Sequence, residues 1–208
     1  MKIGIDARWI FREISGIGAY TRELLRQLAA LDRGNEYVVF FNDPVVLDAA
    51  VAYAELDRAT NFTPHIVPSS PLDLRNQLHM PGEIRRLRLD IFHTPNYMIP
   101  MRAFRAGPKR PARTRCVVTL HDVIPLVFPD HAPKSRKARL FPLYRRVMRE
   151  VGRRADVIIA ASQSTRSDIF RELGIPPEDE HRVTVIYHGV APEFRPAPRV
   201  PGKNRTIL

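Results

Sequence analysis

Lys2-Ile3-Gly4-Ile5-Asp6 opens the chain, and Ser15-Gly16-Ile17-Gly18-Ala19-Tyr20 follows after a short irregular stretch. The first segment is an apolar strand, and the second begins a helix whose leucines recur with helical spacing up to Leu31. A glycine loop at such a place binds phosphate in α/β proteins, because free amides and the positive end of the helix dipole face the ligand. The alternative is that the two glycines only allow a tight turn.

The rest of the chain alternates between strand-like and helical segments. Runs rich in Val, Ile and Phe predict strands at 2–6, 36–41, 65–67, 90–93, 115–120, 156–160 and 182–187. Apolar spacing predicts helices at 17–31, 45–58, 73–88, 134–154 and 164–173. This alternation indicates an α/β fold with a Rossmann-like, doubly wound and mostly parallel sheet of about seven strands.

The composition is that of an ordinary globular protein. Hydrophobic residues make up 44% and charged residues 26% of the 208 positions. No run of about 18 apolar residues occurs, so we expect no membrane-spanning helix, and the N-terminus does not resemble a signal peptide. The single cysteine, Cys116, lies in a strand-like run, where burial explains it better than catalysis. These features predict a cytoplasmic protein.

The character of the sequence changes near position 190. Residues 1–190 carry the alternating pattern, and we assign them to one Rossmann-like domain. Residues 191–208 are rich in proline and end on Ile207-Leu208, which is typical of a linker that leads into another strand. We therefore expect the segment 191–208 to be the start of a further, C-terminal domain.

The charge of the chain is uneven. Lys and Arg exceed Asp and Glu by 11, and the excess is concentrated at 102–115 and 134–154. The second stretch has the spacing of a basic amphipathic helix, which predicts peripheral contact with an anionic membrane, such as the inner face of the cell membrane. The alternative is a solvated arginine-rich face. Nucleic acid is not an expected partner, because few aromatic residues are interleaved and no nucleic-acid motif is present.

Polar residues follow several of the predicted strands. Since the carboxyl ends of parallel strands meet at one edge of the sheet, ligands bind there. The residues that we place at this edge are Asp6, Arg8, His93, Asn96, His121, Asp122 and Ser162. One histidine alone would more often be structural, but two on separate strands beside a glycine loop predict a polar site. We predict no metal site, because His121 and Asp122 have no partner at ligand spacing and no cysteine cluster occurs.

Segments spread along the chain carry a resemblance to a known family. They are Met1–Arg8 (MKIGIDAR), Ser15–Tyr20 (SGIGAY), Asp90–His93 (DIFH), Val117–Asp122 (VVTLHD), Ala155–Ser162 (ADVIIAAS) and Val185–Val190 (VIYHGV). In this order they resemble the N-terminal, acceptor-side domain of a family 4 glycosyltransferase, a retaining enzyme of the GT-B fold. That fold has two Rossmann-like domains across a cleft, and the C-terminal one holds most of the nucleotide-sugar.

The resemblance implies roles for particular residues near the donor. Gly16, Ile17 and Gly18 match the loop whose amides approach the donor diphosphate. His121 matches a histidine that contacts hydroxyls of the transferred sugar. Asp122 is expected to orient His121 or an acceptor hydroxyl, so we assign both residues to catalysis.

The acceptor site is assigned partly from the resemblance and partly from the strand ends. His93 and Asn96 match a loop that lines the acceptor cleft in the family. We add Asp6, Arg8 and Ser162, because each follows the end of a predicted strand at the same edge.

Taken together, the resemblance implies a hexosyltransferase-type enzyme of class EC 2.4. It would transfer a sugar from a nucleotide-sugar to a glycan or lipid-linked acceptor, as in polysaccharide biosynthesis, without a cofactor or metal. Because donor affinity belongs mainly to the second domain, we expect the isolated chain to be inactive.

Other classes of protein compete with this interpretation. One is a stand-alone nucleotide-binding module, and another is a basic membrane-surface domain. An NAD-dependent oxidoreductase is less favoured, because the glycine motif is shorter than the dinucleotide fingerprint and no acidic residue closes the first βαβ unit as expected.

Overall fold

The computed structural model describes residues 1–106, 114–129, 141–190 and Arg195. The strands in these residues are β1 (Lys2–Asp6), β2 (Glu36–Phe41), β3 (Phe62–Ile66), β4 (Ile91–Thr94), β5 (Arg115–Leu120), β6 (Val157–Ala160) and β7 (Val183–Val185). All seven form one parallel sheet in the order β3-β2-β1-β4-β5-β6-β7. The predicted α/β class with a Rossmann-like parallel sheet is confirmed.

Helices connect the strands and cover both faces of the sheet. They are α1 (Gly16–Leu31), α2 (Pro44–Ala54), α3 (Asn76–Arg86), α4 (Ile124–Val127), α5 (Phe141–Arg154) and α6 (Gln163–Leu173). Short 3-10 helices span Ala7–Trp9, Leu56–Arg58 and Pro177–Arg182. Residues 134–140 of the predicted basic helix lie outside the described residues, as does 191–208 apart from Arg195.

Two hydrophobic cores lie on opposite faces of the sheet. Val38 and Phe40 of β2 belong to the core under α3, α5 and α6, whereas Val39 and Phe41 belong to the core under α1 and α2. Successive side chains of a strand point to opposite faces, so a strand covered on both sides is mostly apolar. This explains the nearly continuous apolar runs of β2 (EYVVFF) and β6 (VIIA), whereas the middle strand β4 (IFHT) ends on the buried polar residues His93 and Thr94. Cys116 of β5 lies in the first core with no exposed surface, as predicted.

The direction of the sheet reverses between β1 and β4. From β1 the chain moves outward through β2 to β3, and from β4 it moves the other way through β5 and β6 to β7. The loops that follow β1 and β4 therefore leave in different directions and open a crevice at the carboxyl edge of the sheet. The residues that end these strands, Asp6 and Thr94, lie at that crevice.

The third strand differs from its prediction. It spans Phe62–Ile66 and not 65–67, and it lies at the edge of the sheet, where its side chains are mostly exposed. Thr63 and Pro64 interrupt the apolar run that identified the other strands. An edge strand tolerates proline because one side of its backbone has no neighbouring strand to pair with.

Candidate functional site

The loop after β1 contains a fully buried ion pair. Arg8 Nε lies 2.7 Å from Asp6 Oδ1 and Nη2 lies 2.8 Å from Oδ2, and both side chains have no exposed surface. The remaining nitrogen, Nη1, donates to the carbonyl of Ser69 and to Oδ1 of Asn76, each at 2.9 Å. Asn76 is the first residue of α3, so the pair ties the loop after β1 to the segment that follows β3.

This burial bears on two predicted site residues. Asp6 and Arg8 satisfy one another with two hydrogen bonds, a geometry typical of strong Arg–carboxylate pairs. With no surface exposed, neither side chain presents an atom to an acceptor in this structure. In this structure the two side chains connect the loop after β1 to the segment between β3 and α3.

The start of α1 offers amide groups to the crevice. Ser15 caps the helix, and its Oγ accepts a hydrogen bond from the amide of Gly18 at 3.2 Å. The amides of Gly16 and Ile17 belong to the first turn, where a helix has no internal acceptors, and no acidic residue lies there. Gly16 is exposed, and a Cβ atom on it would meet nothing within 4 Å.

Gly18 has a different role from Gly16. It is buried, and a Cβ atom there would lie 3.4 Å from the carbonyl oxygen of Trp9 and 3.5 Å from Cα of Ile10. These are ordinary van der Waals distances, so a side chain as small as that of alanine would fit. Gly18 therefore packs against the loop after β1, whereas Gly16 leaves open space at the helix start.

A chain of polar groups links β4, β5 and α1 beneath the crevice. His93 Nε2 lies 2.9 Å from Oγ1 of Thr119, and the hydroxyl of Tyr20 lies 3.3 Å from the same atom. His93 is 9% exposed, and burial, helped by the nearby His121, lowers its pKa to about 4. His93 is therefore neutral at physiological pH and acts as a buried hydrogen-bonding group.

His121 lies at the same edge of the sheet, directly after the last residue of β5. Its Nε2 contacts the carbonyl oxygen of Pro95 at 3.1 Å. Because a carbonyl only accepts hydrogen bonds, Nε2 must carry the proton, and Nδ1 of the neutral ring then keeps its lone pair. Among the described residues no group hydrogen-bonds to Nδ1. His121 thus presents a free hydrogen-bond acceptor at a fixed orientation.

The protonation of His121 is set by its surroundings. Burial lowers its pKa most, and the nearby His188 lowers it further, whereas the Pro95 carbonyl and Asp122 act in the opposite direction. The net effect is a pKa below the ordinary value for histidine, so the neutral ring is favoured near pH 7.

Three rings meet around His121, and we call Tyr20, His121 and His188 the ring cluster. The centroids of Tyr20 and His121 are 4.9 Å apart with nearly perpendicular planes. His188 lies 5.0 Å from Tyr20 and 5.1 Å from His121. Tyr20 and His188 occur in the motifs SGIGAY and VIYHGV. Neither is predicted as a site residue from the sequence, because their contact depends on the fold.

The other predicted residues serve nearby turns. The Asp122 side chain is exposed, and its Oδ1 accepts from the amide of Ile124 at 3.1 Å. Asn96 is 8% exposed, and its Oδ1 accepts from the amide of Tyr97 at 2.6 Å. Both residues thus fix loops beside His121, and Asp122 keeps part of its carboxylate open to solvent.

Ser162 caps α6. Its Oγ accepts from the amide of Thr165 at 3.0 Å and donates to the hydroxyl of Thr165 at the same distance. The Thr165 hydroxyl in turn donates to the backbone carbonyl of His121 at 3.3 Å. Ser162 therefore supports the loop that carries His121, and its hydroxyl is already used in both directions.

Two kinds of feature were not found in the described part of the chain. Within residues 1–106, 114–129 and 141–190, no three His, Cys, Asp or Glu side chains come together as a metal site would require. None of the helices in those ranges combines the length and apolarity that crossing a bilayer demands.

Comparison with known proteins identifies the family. The model of the family described as Glycosyltransferase Family 4 matches residues 14–194. The chain belongs to glycosyltransferase family 4. No curated protein matches the chain.

The match includes most of the site of this family 4 domain. Residues 14–194 contain the start of α1, His93, the ring cluster and the cap of α6, whereas Asp6 and Arg8 precede the match. A glycosyltransferase moves a sugar from a donor to an acceptor. The carboxyl edge of the sheet is therefore the candidate place for that transfer.

Proposed function

We propose that this family 4 domain forms the acceptor-binding half of a retaining GT-B glycosyltransferase and contacts the diphosphate of a nucleotide-sugar. The observation that supports the proposal is that Nδ1 of His121 has no hydrogen-bond partner among the described residues. The His121 ring contacts Tyr20, which lies one turn after Gly16 in α1. Sugar transfer needs a hydrogen-bond acceptor for hydroxyl groups and donors for phosphate oxygens. These two requirements are met by neighbouring groups at one edge of the sheet.

The donor diphosphate would bind at the start of α1. The amides of Gly16 and Ile17, together with the helix dipole, favour negative charge, and no acidic side chain in the first turn opposes it. Negative charge grows on the diphosphate as the glycosidic bond breaks. Fixed amide dipoles stabilise that charge without having to reorient during the reaction.

The transferred sugar and the acceptor would lie against His121. Neutral His121 accepts a hydrogen bond from a sugar hydroxyl through Nδ1, which fixes the sugar relative to the diphosphate. Asp122 has open carboxylate surface close by and would orient an acceptor hydroxyl. His93 and Asn96 lie behind this surface and would shape the acceptor cleft.

The chemistry is that of a hexosyltransferase of class EC 2.4. With retention, the acceptor enters on the face from which the diphosphate leaves, and the transition state resembles an oxocarbenium ion. Placement of the acceptor and positive potential at the phosphates matter more than a strong base in this mechanism. We expect the 208-residue chain alone to transfer little sugar, since family members hold most of the donor in a second domain.

Binding of nucleoside diphosphates tests the donor contact. We would titrate the isotopically labelled chain with UDP, GDP and ADP and follow amide resonances by NMR. The expected result is millimolar binding with shifts at Gly16 and Ile17. No shift with any diphosphate would contradict the donor contact, and micromolar binding would favour the stand-alone nucleotide-binding module instead.

Gly16→Asp sharpens this titration. The position has room for a side chain, and an acid in the first turn stabilises a helix, so the variant should fold at least as well as the parent. The added carboxylate should weaken diphosphate binding about fivefold, since like charges a few Å apart cost about 1 kcal/mol even in water. Gly34→Asp, with the same charge change in the loop before β2, is the control. Equal weakening in both variants would contradict the site.

Nucleotide-sugars test the role of His121. Compared with the bare diphosphates, UDP-, GDP- or ADP-hexoses should shift the imidazole resonances of His121 as well as the α1 amides. The exposed His181 is an internal control, because it lies outside the ring cluster and hydrogen-bonds to the backbone carbonyl of Glu178. If the hexose left His121 unaffected while the α1 amides shifted, the assignment of the sugar to His121 would be wrong.

A specific feature of α5 also favours a second function, peripheral contact with an anionic membrane. Arg145, Arg146 and Arg149 are exposed, and none of them pairs with an acidic side chain among the described residues. Glu150 is already engaged by Arg153 and Arg154. The arginines line a groove of about 510 Å³ together with Phe141 and Pro142.

Exposed apolar surface accompanies these arginines. Leu143, on the first turn of α5, is 56% exposed. A helix that combines unpaired arginines with an exposed leucine suits the boundary between lipid head groups and acyl chains. Such contact would bring the domain to the inner face of the membrane and to a lipid-linked acceptor.

Sedimentation with vesicles tests this second function. The chain should bind vesicles that contain phosphatidylglycerol and not pure phosphatidylcholine, and binding should weaken as salt rises. Changing Arg145, Arg146 and Arg149 to Gln should abolish binding. The control changes Arg33, Arg58 and Arg171 to Gln, which removes the same charge elsewhere on the surface. Equal loss in both triple variants would leave only a general charge effect and would reject α5 as the docking helix.

A further inference from the structure

The segment after β7 crosses the carboxyl edge of the sheet. β7 is the last strand in the sheet order, and the amide of Ile186 still donates to the carbonyl of Ala160 in β6 at 3.0 Å. Two residues further on, His188 has reached the end of β5 and the side of α1, where it contacts His121 and Tyr20. The chain therefore turns inward, past β6, toward the candidate site.

His188 closes one side of the space around His121. Two further sides are occupied by Tyr20, which meets the His121 ring edge to face, and by the Pro95 carbonyl at Nε2. Although its ring touches two others, His188 is itself exposed, and among the described residues nothing hydrogen-bonds to its nitrogens. An exposed ring held only by aromatic contacts contributes little to the core, so stability alone does not explain its place.

We propose that His188 is a positioning residue for His121, whose ring it holds so that the free Nδ1 atom faces the substrate. This inference rests on the proposed function, because it assigns His188 to the same site. Ring contacts from two sides and one hydrogen bond leave His121 a single orientation. A sugar hydroxyl then meets an acceptor atom whose direction is fixed before it binds.

His188 also acts on His121 through its charge. The titratable groups that face His121 are Tyr20 from α1, His93 from β4, Asp122 from its own loop and His188 from the segment after β7. Asp122 favours the charged form of His121, and His188 opposes it. When His188 carries a proton, a second positive charge 5.1 Å away is unfavourable. His188 thus counteracts Asp122 and, together with burial, which has the largest effect on the His121 pKa, favours the neutral ring.

Imidazole NMR on the 208-residue chain tests the proposal without ligand or turnover. The nitrogen shifts of His121 report its tautomer, and their pH dependence reports its pKa. His188→Phe keeps a ring but removes the charge, His188→Ala removes both, and His181→Ala is the matched control on an exposed histidine. In the parent and the control, His121 should show the tautomer with the proton on Nε2.

The two variants at position 188 should separate charge from packing. In His188→Phe the tautomer should persist, and the His121 pKa should rise, because the opposing effect of the His188 charge is gone. In His188→Ala the pKa should rise too, and the two tautomers should become mixed because the ring has lost one support. The proposal would be overturned if both variants at position 188 showed the same His121 pKa and the same His121 tautomer as His181→Ala.

Failure of this inference and failure of the proposed function give different results. The tautomer or pKa of His121 could respond to changes at position 188 while hexoses leave its resonances unshifted. The positioning role of His188 would then be supported, and the assignment of the sugar to His121 would be wrong. If hexoses shift His121 in the parent and equally in His188→Ala, the site stands and the role of His188 falls.

Discussion

The buried pair Asp6–Arg8 and the ring cluster lie at the same edge of one sheet but differ in almost every physical respect. The pair has no exposed surface, and both carboxylate oxygens are engaged by Arg8 nitrogens. The ring cluster is partly exposed and keeps ring nitrogens without partners among the described residues. Position at a strand end is therefore not enough to make a site residue. Depth and unused hydrogen-bonding capacity decide which residues can meet a ligand.

The largest expected effect on stability comes from breaking the buried Asp6–Arg8 pair. Arg8→Met keeps a long side chain but leaves the Asp6 carboxylate buried and unpaired, and it frees Ser69 and Asn76 from their donor. We expect the free energy of unfolding to fall by about 3–5 kcal/mol, as when one member of a buried ion pair is removed. Urea unfolding followed by circular dichroism measures this loss.

The control for Arg8 is another arginine of the same loop. Arg12 pairs with Asp43 at 2.7 Å, but its side chain is 70% exposed, so Arg12→Met should have a far smaller effect. If both substitutions destabilised the chain equally, burial of the Asp6–Arg8 pair would not be what holds the loop.

His93 stands between the two regions, and its effect should depend on pH. The unfolded chain binds a proton on this histidine near the ordinary pKa of 6.5, whereas the folded chain resists protonation until about pH 4. The stabilisation is therefore complete above 6.5 and is lost as the pH falls toward 4. From pH 7 to pH 5 the loss should be about 2 kcal/mol.

His93→Gln isolates this contribution from those of other titrating groups. The amide still reaches Thr119 but does not titrate, so the difference in unfolding free energy between pH 7 and pH 5 should shrink by that amount. His181→Gln, on an exposed histidine, should leave the difference unchanged. Parallel pH profiles for the parent and His93→Gln would show that the buried ring is not the group responsible.

Substitutions of Ser162 test whether this predicted acceptor residue only caps α6 or also contacts the acceptor. Ser162→Ala removes the cap of α6 and should cost about 1 kcal/mol of stability, and Ser162→Asp, which can also cap, should restore most of it. Thermal unfolding of the three proteins measures this. Hexose-induced shifts at His121 should survive in Ser162→Asp. If Ser162→Asp restored stability but abolished the hexose-induced shifts, Ser162 would belong to the acceptor site.

The smallest expected effect is that of Tyr20→Phe. The substitution keeps the ring beside His121 and removes only the hydroxyl that lies 3.3 Å from Thr119. One hydrogen bond of this kind contributes about 1 kcal/mol or less, and Thr119 keeps its contact with His93. Unfolding should change little, and the His121 tautomer should not change. A tautomer change would mean that the hydroxyl, not the ring, positions His121.

Much of the fold could be predicted from the sequence because the central strands are buried on both faces. Such strands are mostly apolar, and the sequence predicts β2 and β5 with the limits that the structure has. β3 was misplaced because an edge strand needs no apolar run, and Thr63 and Pro64 hide it. Pattern alone therefore identifies the interior of the sheet better than its border.

The site could be predicted only as far as local order along the chain allows. His121 and the glycines directly follow their strand or precede their helix, so their place at the carboxyl edge follows from the fold. The burial of Arg8 depends on Ser69 and Asn76, distant in sequence. The contact of His188 with Tyr20 depends on how the segment after β7 turns. Neither the contacts of Arg8 nor the contact of His188 can be predicted from a local sequence pattern.

Cys116 gives this molecule a built-in reporter of its own opening. It is the one cysteine in the sequence, it lies on β5 with no exposed surface, and burial raises the pKa of its thiol well above the ordinary value. A thiol reagent can therefore modify it only while the strands around it are apart. The rate of that modification measures how often the strand leading to His121 separates from its neighbours, without any label added to the protein.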